Sequence, residues 1–445
     1  MGRKSHSRSL SIWTNGMRVG RWTLPARGDM QLQYDDDWIK ADVGRPLSIS
    51  LPFTLDKLPL KGEKVYNYFD NLLPDSDAIR KRVAERFRTG STDAFDLLKA
   101  IGRDCVGAVQ ILGEDEAPSS FDRIEGTPLS DEDIERHLIE TVSPRSFGSS
   151  QDPDDDFRIS LAGAQEKTAF LWWDGRWQKP RGATPTTHIV KLPLGLMGGR
   201  RADFRTSVDN EWLCLKLLKA YGLDVADADI ATFGEQRVLV VQRFDRRIAP
   251  NGKWLMRLPQ EDFCQVEGCS PLRKYENEGG PGLKALFSTL RHSVNAEGDM
   301  RTLMAAQILF WLLRAPDGHA KNFSLRILPR GRFQLTPLYD VMSAYPVLGD
   351  GPNQWSPHEI KLAMALHGQN KHYEMFGIQR RHFNSTAQKV GYDVSAEPII
   401  EDILARTPAV ISAVQAGLPP GFSTHVADSV FGGLVQAAAA LEATR

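Results

Sequence analysis

Cysteine is scarce in this chain: its 445 residues include only Cys105, Cys214, Cys264 and Cys269. They form no CxxC pair, and the close spacing of Cys264 and Cys269 has no second ligand pair beside it. A zinc site is therefore not expected, and the thiols read as reduced and structural. Net charge is also nearly absent, with 55 Lys+Arg against 56 Asp+Glu. No global positive field draws the molecule onto nucleic acid, which confines DNA contact to a local patch or a partner. No apolar run approaches the roughly 18–20 residues that span a bilayer. The first ten residues, MGRKSHSRSL, lack the apolar core of a signal peptide, and His6 stands where myristoylation wants Ser or Thr. The expected setting is the cytoplasm, with no membrane. Internal repeats, GxGxxG and the GxxxxGK[ST] phosphate loop are missing too.

What is present suits a large folded chain of two to three domains or lobes, 41% hydrophobic and 25% charged. From Ser9 to about Leu55, short β-type runs, PLSISLPF among them, are broken by Asn15-Gly16 and other turns. From Val65 to Ile111 helical spacing takes over, with Ile79, Val83 and Phe87 on one face. This predicts a mixed α/β domain over 1–150, ending in the polar stretch Ser143 to Asp156. Over 151–246, Phe157 to Trp173, His188 to Leu192 and Arg237 to Phe244 read as strands, with Val208 to Tyr221 a helix between them. Over 247–445 helices dominate from Pro259 onward, and Leu303 to Leu313 is apolar on nearly every face, as in a helix at a domain centre.

The densest chemistry lies just after that helix, in Asp317-Gly-His-Ala-Lys-Asn322. Asp317 and Asn322 are five apart, the separation at which HRDxxxxN sets a base carboxylate beside a magnesium-binding amide. Ala315-Pro316 breaks the preceding helix. Phe323 to Leu328 then alternates, Pro329-Arg330-Gly331 turns, and Arg332 to Leu335 returns, a hairpin that brings Asp340 beside Asn322. A carboxylate and an amide oxygen suit Mg²⁺, which completes its shell with water and ATP phosphates. Asp317 would orient or accept the proton of an acceptor hydroxyl. Each acid alone reads as a turn or cap residue; the three joined by a helix and a hairpin read as a site.

Upstream, the segment Phe157 to Thr168 has small residues at a turn where backbone N–H groups could approach phosphates, and Lys167 would add a point charge. Taken alone, with a single Gly163, it reads as an ordinary β-turn. Lys191 sits at a strand position and Glu211 on the next helix, either a phosphate-binding lysine with its carboxylate partner or two solvated charges. Val238 to Val241 runs into Gln242-Arg243-Phe244, an adenine hinge on which Phe244 packs, or a buried strand ending in a charged turn.

Together, ISLAGAQEKTAF, TPTTHIVKLP, VDNEW, RFDRR, RLPQEDFCQ, KYENEGGPG, DGHAKNFS and LTPLYDVMSAYPVLG resemble the HipA family of bacterial toxin serine/threonine kinases, in fixed order from Phe69 to about Gly368. The resemblance implies an α+β, two-lobed protein-kinase-like fold with an N-terminal mixed subdomain and a mainly helical C-terminal lobe. It implies Asp317 as catalytic base, Asn322 and Asp340 on magnesium, and Lys191 on ATP phosphates with Glu211 in support. Ala162, Gly163, Ala164, Gln165, Glu166 and Lys167 would cover the phosphates. Gln242, Arg243 and Phe244 would form the hinge, with His319 and Tyr339 lining the nucleotide site. Ser160 matches the family's autophosphorylated serine. The implied partners are a HipB-like helix-turn-helix antitoxin, operator DNA mainly through that complex, and an aminoacyl-tRNA synthetase substrate, glutamyl-tRNA synthetase first. The basic cluster Lys371, His372, Arg380, Arg381, His382 and Lys389 would touch operator phosphates or form a solvated helix face. Three positions depart from the pattern: Gln242 where glutamate is common, Pro316 where a small polar residue is usual, and Asp340-Val341-Met342 in place of DFG. A small-molecule kinase and a non-catalytic scaffold on DNA are the alternatives.

Overall fold

The computed structural model describes residues 7–142, 160–163, 165–198 and 201–444. In the N-terminal unit, β1 (Arg8–Thr14), β2 (Met17–Leu24), β3 (Gln31–Tyr34), β4 (Leu60–Lys61) and β5 (Gln110–Gly113) form an antiparallel sheet in the order β4-β3-β2-β1-β5. Asn15 and Gly16 have φ of 48° and 81°, the left-handed pair that a two-residue hairpin between Thr14 and Met17 requires. Between these strands lie α1 (Asp36–Lys40), α2 (Glu63–Asp70), α3 (Asp77–Phe87) and α4 (Ala94–Ile101). α2 and α4 bring Phe69 and Phe95 onto Trp22, with ring centroids 3.9 and 4.9 Å away. PLSISLPF is not a strand. It crosses to the large lobe, where the Ile49 N–H donates to Glu261 and the hydroxyls of Ser48 and Ser50 donate to the Gln265 carbonyl, so its polar groups are satisfied without a sheet partner.

The small lobe is a six-stranded antiparallel sheet in the order β12-β13-β9-β7-β8-β6. Its elements are β6 (Gly126–Pro128), α5 (Asp131–Val142), β7 (Lys167–Trp173), β8 (Arg176–Pro180), β9 (His188–Lys191), a ribbon of β10 (Leu196–Met197) and β11 (Ala202–Asp203), α6 (Ser207–Ala220), β12 (Ala228–Phe233) and β13 (Gln236–Gln242). Helices cover both faces, which explains the unbroken apolar run of β13: Val238 and Val240 face α5, while Leu239 and Val241 face the α6 side. The expected boundary at 150 comes too late. β6 and α5 precede it yet belong to this lobe, because β6 pairs with β8 and Ile134 and Leu138 are buried with Phe170, Val190 and Val238 of the sheet. The polar stretch Ser143 to Asp156 lies outside the described residues, and the strand expected from Phe157 begins at Lys167.

The large lobe contains β14 (Arg246–Ile248), β15 (Leu255–Arg257), β16 (Gln260–Asp262), α7 (Phe263–Glu267), α8 (Leu283–Leu290), α9 (Ala296–Leu312), β17 (Ser324–Ile327), β18 (Phe333–Leu335), β19 (Lys361–His367), β20 (Lys371–Glu374), α10 (Arg380–Lys389), α11 (Glu397–Ala416) and α12 (Thr424–Ala443). α9 is buried without interruption from Leu303 to Leu312, as its composition predicts. α12 corrects the expectation that no stretch is long and apolar enough to cross a membrane: it passes that test by length and composition, at a mean hydropathy of 1.2. Half of it is buried, with Val426, Val430, Leu434 and Leu441 in the lobe's core, so the apolarity serves packing.

Candidate active site

Period-two alternation aims the small lobe's chemistry. On β9, Val190 enters the core under α5, so Ile189 and Lys191 face the opposite side and line a cavity of about 840 Å³ between the lobes. β7 pairs Lys167 directly with Lys191, placing two ammonium groups on that wall. Lys191 Nζ donates to Glu211 Oε1 at 2.7 Å and to Asp340 Oδ1 at 2.8 Å. Burial pushes the Lys191 pKa down, but Asp340 and Glu211 outweigh it and hold the ammonium well above the usual lysine range. Burial likewise pushes Asp340 up, yet Lys191 and Lys167 bring it net far below the carboxylate range. Among the described residues Lys167 has no such carboxylate contact. Burial, then the charge of Lys191, lowers it to about 8.

The large lobe supplies the other wall. α9 ends at Leu313 and Arg314, whose φ of 50° turns the chain left-handed before Pro316, while the Ala315 N–H still reaches the Phe310 carbonyl at 2.8 Å. Pro316 therefore follows a helix already stopped. Gly318 is required by space: a Cβ there would lie 2.6 Å from the Phe310 ring. Asn322 Nδ2 donates to the Asp317 carbonyl at 2.7 Å, which fixes the amide and leaves its Oδ1 as the free acceptor. The hairpin of β17 and β18 pairs Leu325 with Leu335 and returns the chain to Tyr339, whose hydroxyl donates to the Lys321 carbonyl at 2.8 Å. Asp340 follows at φ 60°, a conformation Asp tolerates better than most residues and one that clusters at functional sites. Asp317, His319, Asn322, Tyr339 and Asp340 all line the cavity. His319 is 3% exposed, and burial lowers its pKa, so it reads as a neutral imidazole.

The expected loop and hinge residues divide. Ala162, Gly163, Gln165 and Lys167 line the cavity, with Lys167 Nζ on the Ala162 carbonyl at 2.8 Å and the Gln165 amide on the Leu192 carbonyl at 2.6 Å. Ala164 lies outside the described residues. Glu166 turns away, paired with Arg82 of α3, because the β-type alternation that points Lys167 inward points its neighbour outward. Gln242 and Phe244 reach the cavity, and Phe244 lies 5.8 Å from the Tyr339 ring. The backbone N–H groups of Gln242 and Arg243 are already given to the Asp227 and Thr187 carbonyls, so neither donor is available to a base. Arg243 lines the cavity beside them, while its guanidinium points behind the hinge, onto Asp104, Asp245 and Thr186. Ser160 is fully buried, its Oγ donating to the Leu72 carbonyl at 2.7 Å and its N–H to the Asp104 carbonyl at 3.1 Å.

Several site residues escaped the sequence reading. Asn71 and Asp75 come from the N-terminal unit, Lys274 and Tyr275 from the loop before α8, and all four line the cavity. Lys321 is anchored by Asn71 Oδ1 at 2.8 Å and Asp262 at 3.0 Å, so it braces the segment from behind. No spacing rule links residues 71 and 321. The basic cluster divides between paired and exposed side chains. Arg380 is 2% exposed and bound to Glu397 and Glu401, Lys371 pairs with Glu276 at 2.7 Å, and His382 is buried under His372; Arg381 and Lys389 remain exposed.

For a divalent cation the available donors are the Asn322 Oδ1 and the Asp340 carboxylate, hard oxygens of the kind magnesium takes. Among the described residues no group of three or more His, Cys, Asp and Glu side chains could hold a metal, so the pair fits an ion that takes its remaining ligands from water and phosphate.

Two family descriptions match the chain: HipA N-terminal domain over residues 10–112 and HipA-like C-terminal domain over residues 159–411. It is 34% identical to "Putative kinase Y4mE" of Sinorhizobium fredii over 77% of this chain and 79% of that one. It is 26% identical to "Serine/threonine-protein kinase toxin HipA" of Shewanella oneidensis over 93% of this chain and 90% of that one. The solved complex of Shewanella oneidensis HipA, HipB and operator DNA contains a chain that superposes with a TM-score of 0.77 at 24% identity, covering 98% of this chain and 97% of that one. That superposition establishes the two-lobed α+β fold.

Proposed function

Since this chain belongs to the HipA family, we propose that it is an ATP- and magnesium-dependent protein serine/threonine kinase, the toxin of a toxin–antitoxin pair. The observation that carries this reading is the Lys191 ammonium clasped by Glu211 and Asp340 on the wall of the cavity that Asp317 and Asn322 close. Lys191 and Lys167 present positive charge to a triphosphate, and the Phe244 and Tyr339 rings offer a surface for the base. Asn322 and Asp340 would hold magnesium, which when bound supplies charge neutralisation at the phosphates. The acceptor hydroxyl gives its proton to Asp317 as its oxygen bonds the γ-phosphorus. The bond from that phosphorus to the bridging oxygen breaks, and ADP leaves with the electron pair. Catalysis is positioning and electrostatics.

Ser160 supports a self-limiting version of this activity. Its hydroxyl is sealed against Leu72, so the segment must leave before phosphate can be added. A phosphoserine carrying roughly −1.5 to −2 charges could not return to that seat, and the loop covering the phosphates would stay displaced. The acceptor protein in this reading is an aminoacyl-tRNA synthetase, glutamyl-tRNA synthetase first, whose modification halts translation. The partner is a HipB-like helix-turn-helix antitoxin, through which the pair reaches operator DNA and represses its own operon. The setting is the cytoplasm.

The test is incubation with Mg-ATP and mapping of phosphate by mass spectrometry, comparing wild type with Asp317→Ala and Asn322→Ala. Phosphate on Ser160 in wild type alone is expected. Equal phosphate in all three proteins refutes the assignment, and activity on metabolites with Ser160 unmodified favours a small-molecule kinase.

A further inference from the structure

Asp317 has a demanding task and little local support. Its side chain is 42% exposed, and it follows Pro316 in a turn with no helix or strand to fix its rotamer. The contact that does fix it comes from 42 residues upstream: the Tyr275 hydroxyl donates to Asp317 Oδ1. The His319 Nε2 approaches the same oxygen at 3.8 Å, which leaves Oδ2 as the open lone-pair face. The Tyr275 ring stands edge-on to the His319 imidazole, with centroids 5.0 Å apart and planes at 86°. Its position is set from both sides. The Lys274 carbonyl accepts the Ala320 N–H at 3.3 Å, and Lys274 Nζ bonds Asp75 at 2.9 Å. The Asp75 N–H in turn donates to the Gly163 carbonyl at 3.0 Å, so the Lys274-Tyr275 pair bridges the seat of the phosphate loop to the base.

We propose that Tyr275 is a positioning residue for phosphoryl transfer: its hydroxyl occupies one oxygen of Asp317 and turns the other toward the acceptor hydroxyl. The inference rests on the kinase reading above. Burial, then the neighbouring Asp317 charge, pushes the phenol far above its ordinary range, so it remains a donor throughout the working pH range. A fixed donor costs no reorganisation during the reaction, so its loss falls on turnover rather than on ATP binding.

The experiment measures ADP release from Mg-ATP by wild type, Asp317→Ala, Tyr275→Phe and the thermal midpoint of each. Phenylalanine keeps the ring against His319 and removes only the hydroxyl. The expected result is kcat lower by about tenfold in Tyr275→Phe, with KM for ATP within about twofold of wild type and an unchanged melting midpoint. Wild-type kcat in Tyr275→Phe overturns the positioning role, as does a loss that follows a lowered midpoint. Equal ADP release by wild type and Asp317→Ala would instead sink the kinase reading itself, so the two failures are distinguishable.

Discussion

Two buried charge clusters lie on opposite sides of the hinge, and they use paired acids and bases to opposite ends. Behind the hinge, Asp104 accepts hydrogen bonds from Arg246, Arg257 and Arg243, while Asp245 takes two more from Arg243. Every side chain in that group is below 10% exposed. Burial pushes Asp104 up, but Arg246, Arg243 and Arg257 together hold it far below the carboxylate range. In front of the hinge, Lys191 and Glu211 are equally buried, but Asp340 keeps a quarter of its side chain open to the cavity. A cluster with almost all its bonding capacity spent fixes structure; one with a lone pair left over can act on a ligand. The rear cluster joins three parts of the chain, since Asp104 belongs to the N-terminal unit, Arg243 to the end of the small lobe and Arg257 to the large lobe.

The largest expected effect tests the rear cluster. Asp104→Ala leaves three buried guanidiniums with one carboxylate and should cost about 3–5 kcal/mol of stability, read as a drop in the urea midpoint, with any surviving folded protein binding ATP normally. A change below about 1 kcal/mol would dissolve the contrast between the clusters. Next, Asp340→Asn keeps the size of the side chain but removes its charge, and kcat should fall about 10²–10³-fold while the protein stays folded by circular dichroism. Gly318→Ala sharpens the geometry, because its methyl must displace the Phe310 ring; a stability loss of about 1–3 kcal/mol with reduced turnover is expected.

The smallest effect concerns pH. Lys167 titrates near 8 in the free protein, below the ordinary lysine value, so its charge is present below that pH and lost above it. A bound triphosphate raises that pKa, so ATP affinity should be full below pH 8 and fall by up to tenfold per unit above it. Free-protein stability should move the other way, rising with pH from about 8 toward the unfolded lysine value, because the unfolded chain holds the proton over that window. Calorimetric titration of wild type and Lys167→Met checks this; an identical pH slope in both sinks it.

The site was legible where neighbours in sequence are neighbours in space. Asp317 and Asn322 are held together by one hydrogen bond across five residues, and the hairpin that returns Asp340 is announced by alternation and a Pro-Arg-Gly turn. Lys191 and Glu211 were named from their order along a kinase template, and one hydrogen bond joins them. The directions of the Arg243 guanidinium and the Glu166 carboxylate were not legible, because the direction of a side chain at the end of a strand depends on what lies behind it: Asp104 in one case, Arg82 in the other. The pairing of Arg380 was hidden for the same reason, since Glu397 and Glu401, which consume it, lie on a different helix.

By itself the sequence determined the apolar centre of α9, the doubly covered strand β13, the Asn15-Gly16 turn and the spacing of the acid and amide ligands, all set by periodicity, backbone sterics and short-range bonds. Only the tertiary structure decided that the N-terminal unit holds the serine segment and lends Asn71 and Asp75 to the cavity. It alone placed β6 and α5 in the small lobe and set Tyr275 on Asp317. These are contacts between residues tens to hundreds of positions apart, and their partners are selected by which surfaces must be buried together, a choice that no local pattern encodes.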